Sequence, residues 1–137
     1  MSHWASKYIG IPYCLGGREL LGGLDCYGLV RLVYQQERSI VLPDLPGVTE
    51  NTVLAICREI VAHSQGLWNE VADPVDGCVV AMSLREALHH VGVWAATDGG
   101  KIVHAYRYAN QVVAETLLSL HWKGFKTIRF FVYGSHH

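Results

Sequence analysis

Gly23-Leu24-Asp25-Cys26-Tyr27-Gly28-Leu29-Val30 marks the point where a glycine-rich loop turns into an amphipathic helix. Asp25 is a strong N-cap residue. Cys26, Val30, Val33 and Tyr34 recur at helical spacing, so the pattern predicts a helix that begins near Asp25 and turns these four residues inward. Arg31, Gln35, Gln36 and Arg38 then face water. A thiol in the first turn sits beside unpaired N–H groups and the positive end of the helix dipole, and both favour the thiolate. Gly28 in that turn costs about 1 kcal/mol relative to alanine. The cost is reasonable where a substrate or another backbone comes close, and Gly22, Gly23 and Gly28 are expected to clear space around the thiol.

Working outward, Ser2 is expected to cap a short first helix with Trp4 and Tyr8 on one face, ended by Gly10-Ile11-Pro12. Residues 13–24 read as loop. Leu42-Pro43-Asp44-Leu45-Pro46-Gly47 is a turn-rich link, and a third helix is predicted from about Glu50 to Ser64, closed by Gly66. Everything after Trp68 reads as β, with strands at 78–83, 90–96, 101–107, 111–116 and 127–133. Helices followed by strands, in separate blocks, predict an α+β domain with N-terminal helices on an antiparallel sheet of about five strands.

The 137 residues suit one domain, residues 1–137, and half of them are apolar. The net charge of −1 argues against a general nucleic-acid binder. No apolar run reaches the roughly 18 residues of a membrane span. Met1-Ser2-His3-Trp4-Ala5 does not read as a leader, so synthesis in the cytoplasm without a signal peptide is expected. The four cysteines are widely spaced and read as free thiols. Cys14, Cys57 and Cys78 are taken as small buried hydrophobes. No cofactor or metal is expected, and the terminal Gly134-Ser135-His136-His137 is given no function.

Two histidines bracket the turn Thr97-Asp98-Gly99-Gly100. His90 opens one predicted strand and His104 ends the next. Their separation of 14 is even, so a three- or five-residue loop puts both rings on one sheet face as diagonal neighbours. A two-residue loop would put them on opposite faces. Asp98-Gly99-Gly100 suits the longer loop. His89 fails the parity test and is expected to face away. Tyr13, set between Pro12 and Gly16-Gly17, is a candidate hydrogen-bond donor to an oxyanion, beside the backbone N–H of Cys26.

These residues resemble the NlpC/P60 family of papain-like cysteine peptidases. The likeness spans nearly the whole chain. Gly10-Ile11-Pro12-Tyr13 followed by Gly16-Gly17, Gly23 through Val30, Leu42-Pro43, His90-Val91-Gly92 and His104-Ala105 match five family motifs in order. The resemblance implies a papain-like fold and cleavage of amide bonds in peptidoglycan stem peptides, commonly between D-glutamate and a diamino acid. It makes Cys26 the nucleophile, His90 the general base, His104 its orienting residue and Tyr13 an oxyanion donor. Asp25, Tyr27 and Gly17 would bind substrate. Tyr27, in place of the more usual serine, and Trp68-Asn69-Glu70-Val71 resemble a branch found in tailed phages and prophages. That implies a phage tail or other delivery partner and action on the cell wall. Asp76-Gly77-Cys78 departs from the family's Gly-Asp and is expected to alter a turn, not the chemistry. Other readings are an amidase or acyltransferase on the same scaffold, a tail or assembly protein whose activity is lost, and a zinc site built from Cys26, His90 and His104.

Overall fold

The computed structural model describes residues 3–19, 21–42, 68–84 and 90–134. The chain starts with a 3-10 turn, Trp4–Lys7. Its cap is His3, whose Nδ1 accepts the Ala5 N–H at 3.2 Å; the expected cap, Ser2, lies outside the described residues. Residues expected to be loop carry a two-stranded ribbon, β1 (Arg18–Glu19) with β2 (Gly23–Leu24). Helix α1 then runs Cys26–Arg38 from its cap at Asp25, where the sequence puts it. The expected helix over 50–64, Cys57 and His89 lie outside the described residues.

Six strands form one antiparallel sheet: β3 (Trp68–Val71), β4 (Val79–Ser83), β5 (His90–Ala95), β6 (Lys101–Tyr106), β7 (Gln111–Glu115) and β8 (Thr127–Tyr133). Their spatial order is β3-β8-β4-β5-β6-β7. The strand beyond the expected five is β3, which pairs on the edge with β8. Its one fully apolar-facing anchor is Trp68, whose ring meets Tyr133 edge-on at 5.0 Å. The β half also contains a helix that the sequence reading missed, α2 (Leu117–Trp122). Thr116 caps it by accepting the Ser119 N–H at 3.0 Å. Only Leu120 of its six residues is buried, so too little periodicity exists to announce it.

Strand alternation sorts the core into two faces. Val79, Ala81, Val91, Val93, Val103 and Ala105 turn toward Leu29, Val30, Val33 and Tyr34 of α1. Val80, Met82, Trp94 and Ile102 turn the other way, toward Leu120 and Phe125. β4 and β5 are therefore covered on both sides, which explains their nearly unbroken apolar sequence. The Asp76-Gly77 departure is a turn: Gly77 has φ +84° and its carbonyl accepts the buried Tyr34 hydroxyl at 2.8 Å.

Candidate active site

The start of α1 is held by the Asp25 side chain and by main chain. Asp25 uses both carboxylate oxygens: Oδ1 accepts the Gly28 N–H at 2.7 Å and Oδ2 the Gly16 N–H at 3.0 Å. One side chain thus caps the helix and clamps the preceding loop onto it. The Asp25 N–H donates to the Gly17 carbonyl at 3.2 Å, and the Gly17 N–H to the Cys14 carbonyl at 2.8 Å. The glycines serve this closeness. A Cβ on Gly28 would collide with the Gly17 carbonyl, and one on Gly17 with the Gly23 carbonyl. At Gly23 a Cβ would meet the Pro12 oxygen and the Cys14 Cβ, both at 2.9 Å, whereas Gly22 has nothing within 4 Å. So of the two reasons for a glycine at position 28, approach of another backbone is the one seen.

Cys26 is the first residue of α1 and is 6 % exposed. Tyr27 is buried beside it in the α1-side core, and Gly17 is tied into the loop by the contacts above. Tyr13 is half-buried against the same core. Cys78 is buried, and burial pushes its thiol up to about 11, so it is inert at neutral pH. Cys14 is a correction: it is exposed, not a buried hydrophobe. Its N–H binds the Leu24 carbonyl at 3.0 Å, so its backbone belongs to a strand-like segment at the surface, and the side chain is left outward.

The imidazoles come from the sheet. β5 and β6 pair Val93 with Val103 and Ala95 with Lys101, leaving a five-residue loop. In this register His104 stands opposite Gly92, so His90 is its diagonal neighbour on the same face, as the even spacing requires. The rings meet edge to face at 5.0 Å, with His90 Nε2 and His104 Nδ1 2.8 Å apart. Gly92 makes this possible: a Cβ there would stand 2.7 Å from the Val103 carbonyl and 3.0 Å from the His104 Cβ. Phe125 stacks on His90 with centroids 5.7 Å apart and planes 25° apart, which fixes the ring plane.

A residue the sequence reading missed stands behind this pair. Glu115 Oε2 lies 2.7 Å from His104 Nε2. His104 is fully buried and Glu115 nearly so. Glu115 Oε1 accepts the Ser119 hydroxyl at 3.0 Å and is also paired with the Lys123 ammonium. The His104 hydrogen bond above all, with help from Lys123 and Ser119, holds the Glu115 carboxyl down at about 2 despite its burial. Val113 lies opposite His104, so Glu115 shares its face across a four-residue loop, with an odd separation of 11 where the histidines have an even one. With His104 hydrogen-bonded through both ring nitrogens, it has none left for zinc in the expected Cys26, His90 and His104 set.

Main chain links the two halves along one end of the sheet. His90 opens β5, level with Tyr106 at the end of β6, which pairs with Gln111 at the start of β7. Gln111 bridges to Pro12, and Tyr13 bridges to Leu24, two residues before Cys26. Each bridge is sealed by main-chain bonds, Tyr13 N–H to Asn110 and Leu24 N–H to Pro12, both at 3.0 Å. The sheet is thereby extended strand by strand until it reaches the start of α1. α1 itself packs back across β5 and β6. His90 and His104 point to the Phe125 face, and the body of α1 covers the other.

A nucleophile at a helix start and an imidazole oriented by a second hydrogen-bonded group are the parts needed for covalent acyl transfer. The NlpC/P60 family model matches residues 10–129. A gamma-DL-glutamyl hydrolase of Bacillus subtilis (strain 168) is 29 % identical over 119 residues, covering 87 % of this chain and 25 % of that protein. The chain thus spans about a quarter of the length of this curated relative. The crystal structure of the NlpC/p60 domain of the peptidoglycan hydrolase SagA superposes with a TM-score of 0.57 at 26 % identity, over 92 % of this chain and 91 % of that one. An NLP/P60-family protein similar to a lipoprotein, from Staphylococcus aureus Mu50, has the same fold. Its TM-score is 0.61 at 21 % identity, over 97 % of this chain and 39 % of that one.

Proposed function

This chain belongs to the NlpC/P60 family, and from that premise we propose that it is a cysteine peptidase of bacterial peptidoglycan stem peptides. Cys26 is the nucleophile, His90 the general base, His104 the residue that orients it, and Tyr13 an oxyanion donor. The observation that carries the reading is the 2.8 Å His90–His104 hydrogen bond at the end of the sheet where the capped, cysteine-bearing helix begins. Support for the substrate comes from the relatives: one is named a gamma-DL-glutamyl hydrolase, another a peptidoglycan hydrolase. The preferred bond is therefore the amide between D-glutamate and a diamino acid.

In the reaction, His90 takes the Cys26 proton and the thiolate attacks the scissile carbonyl carbon. The tetrahedral oxyanion is held by the Cys26 N–H and the Tyr13 hydroxyl. The His90 imidazolium gives its proton to the leaving amine, the C–N bond breaks and a thioester remains. Water, deprotonated by His90, then cleaves the thioester, releasing the acid and the thiol. Asp25, Tyr27 and Gly17 act on the substrate side through the loop they shape. The reading extends to delivery by a phage tail or similar carrier to the cell wall, supported by the Tyr27 variant of the motif and by Trp68-Asn69-Glu70-Val71.

Digestion of purified peptidoglycan by wild type and by Cys26→Ala, with products read by mass, tests the reading. Wild type is expected to release fragments with a new diamino-acid N-terminus, and the variant none. Equal products from both proteins, or products cut only at the glycan–peptide linkage, would refute it.

A further inference from the structure

Glu115 sits at the far end of a line of hydrogen bonds whose polarity can be read from one terminus to the other. An ionised carboxylate has no proton to give, so at 2.7 Å it is His104 Nε2 that carries the hydrogen and Glu115 Oε2 that accepts it. A neutral imidazole with its hydrogen on Nε2 has a lone pair on Nδ1. At 2.8 Å from that lone pair, His90 Nε2 must be the donor. The hydrogen on His90 is then also on Nε2, and the basic lone pair is left on His90 Nδ1. With His104 neutral, the whole sequence of donors and acceptors is set by the charge state of Glu115. That state is guarded on its other side, where Oε1 takes the Ser119 hydroxyl and the Lys123 ammonium.

We propose that Glu115 is a positioning residue that fixes the tautomers of His104 and, through it, of His90, so that His90 presents Nδ1 as the base. The inference rests on the reading of His90 as a base, but it concerns where two protons sit and can be measured without substrate. Four elements meet around these rings. β5 contributes His90, β6 His104 and Tyr106, β7 Glu115, and α2 with the residue after it Ser119 and Lys123. Lys123 also lies over the Tyr106 ring at 5.1 Å, so its ammonium is anchored at two points beside the carboxylate. The short helix α2 thereby acquires a role in the site. Thr116 caps it so that Ser119 and Lys123 face Glu115 one turn and two turns on.

A glutamine at 115 keeps the shape and loses the charge. Ser119 and Lys123 are donors, so the amide oxygen must face them and the NH2 must face His104. His104 Nε2 then becomes an acceptor, the hydrogen moves to Nδ1, His90 Nε2 accepts it, and His90 carries its hydrogen on Nδ1, where the base is needed. The analogous tautomer inversion in a serine protease lowers kcat by about 10⁴-fold.

Long-range proton–nitrogen NMR of the two rings at neutral pH is the test. Wild type should show Nε2–H on both His90 and His104, and Glu115→Gln should show Nδ1–H on both. With a soluble muropeptide carrying a D-glutamyl–diamino acid bond, kcat should fall about 10²–10⁴-fold with KM changed less than about threefold. Alkylation of Cys26 by iodoacetamide should slow in parallel, and Glu115→Asp should restore part of each. Unchanged tautomers in the variant, or a wild-type His104 with its hydrogen on Nδ1, would overturn the proposal; the second result needs no variant to fold. If the tautomers invert while wild type leaves the muropeptide intact, the peptidase reading fails and the role of Glu115 stands.

Discussion

Around Cys26 the chain is immobilised by main chain against main chain, with Gly17, Gly23 and Gly28 letting carbonyls approach where any Cβ would collide. Around His90 it is immobilised by side chains, in a line from His90 through His104 and Glu115 to Ser119 and Lys123. The two regions face different demands. A thiol needs a fixed helix terminus and local N–H groups, which backbone packing and the Asp25 cap supply. A base needs a defined proton position, which only a chain of hydrogen bonds ending in a charge can supply. The thiol side should therefore fail through shape, and the imidazole side through protonation.

The largest effect that would break this contrast lies on the imidazole side. His90→Ala removes the proposed base from a half-buried position and is expected to lower kcat/KM on a muropeptide by about 10²–10⁴-fold with little change in melting temperature. A loss of folding instead of rate would make His90 a structural residue. Next comes the acid response. Glu115 has its folded-state carboxyl lowered to about 2 from an ordinary 4.5. Its contribution to stability is complete above about pH 4.5 and is lost as pH falls toward 2, amounting to about 3 kcal/mol. Urea melts of wild type and Glu115→Gln from pH 7 to 2 should converge at the acid end; a constant gap would show that the charge is not what Glu115 contributes. The smallest effect is on the thiol side. Gly28→Ala gains helix propensity but forces the Gly17 carbonyl away, for a net loss of about 2 kcal/mol in chemical denaturation. A neutral or stabilising result would mean that the two backbones are free to part.

What could be read from the sequence follows the same division. Asp25, Cys26 and the glycines announced the start of α1 because caps and glycines are local signals, and the structure has the helix at that place. The pairing of His90 with His104 followed from parity and a glycine-containing loop, since a hairpin converts spacing into geometry. Glu115 went unseen because its separation of 11 from His104 shares a face only across an even loop, and the strand ends that make the loop four residues long were not legible. α2 was hidden by its length, with one buried side chain in six residues. β3 was hidden because this edge strand carries a single anchor toward each side of the sheet, Trp68 and Val71. The exposure of Cys14 depends on which way one strand-like segment turns against Leu24, a tertiary fact with no local cue.

Whether an imidazole from the sheet makes the thiol at the head of α1 reactive is decided by the pH dependence of Cys26 alkylation with iodoacetamide, in wild type and in His90→Ala. The wild-type rate should level off with an apparent thiol pKa below about 7.5, rising toward the ordinary value of about 8.5 once His90 is gone. A single titration near about 8.5 or above in both proteins would contradict the assignment of His90 as the base.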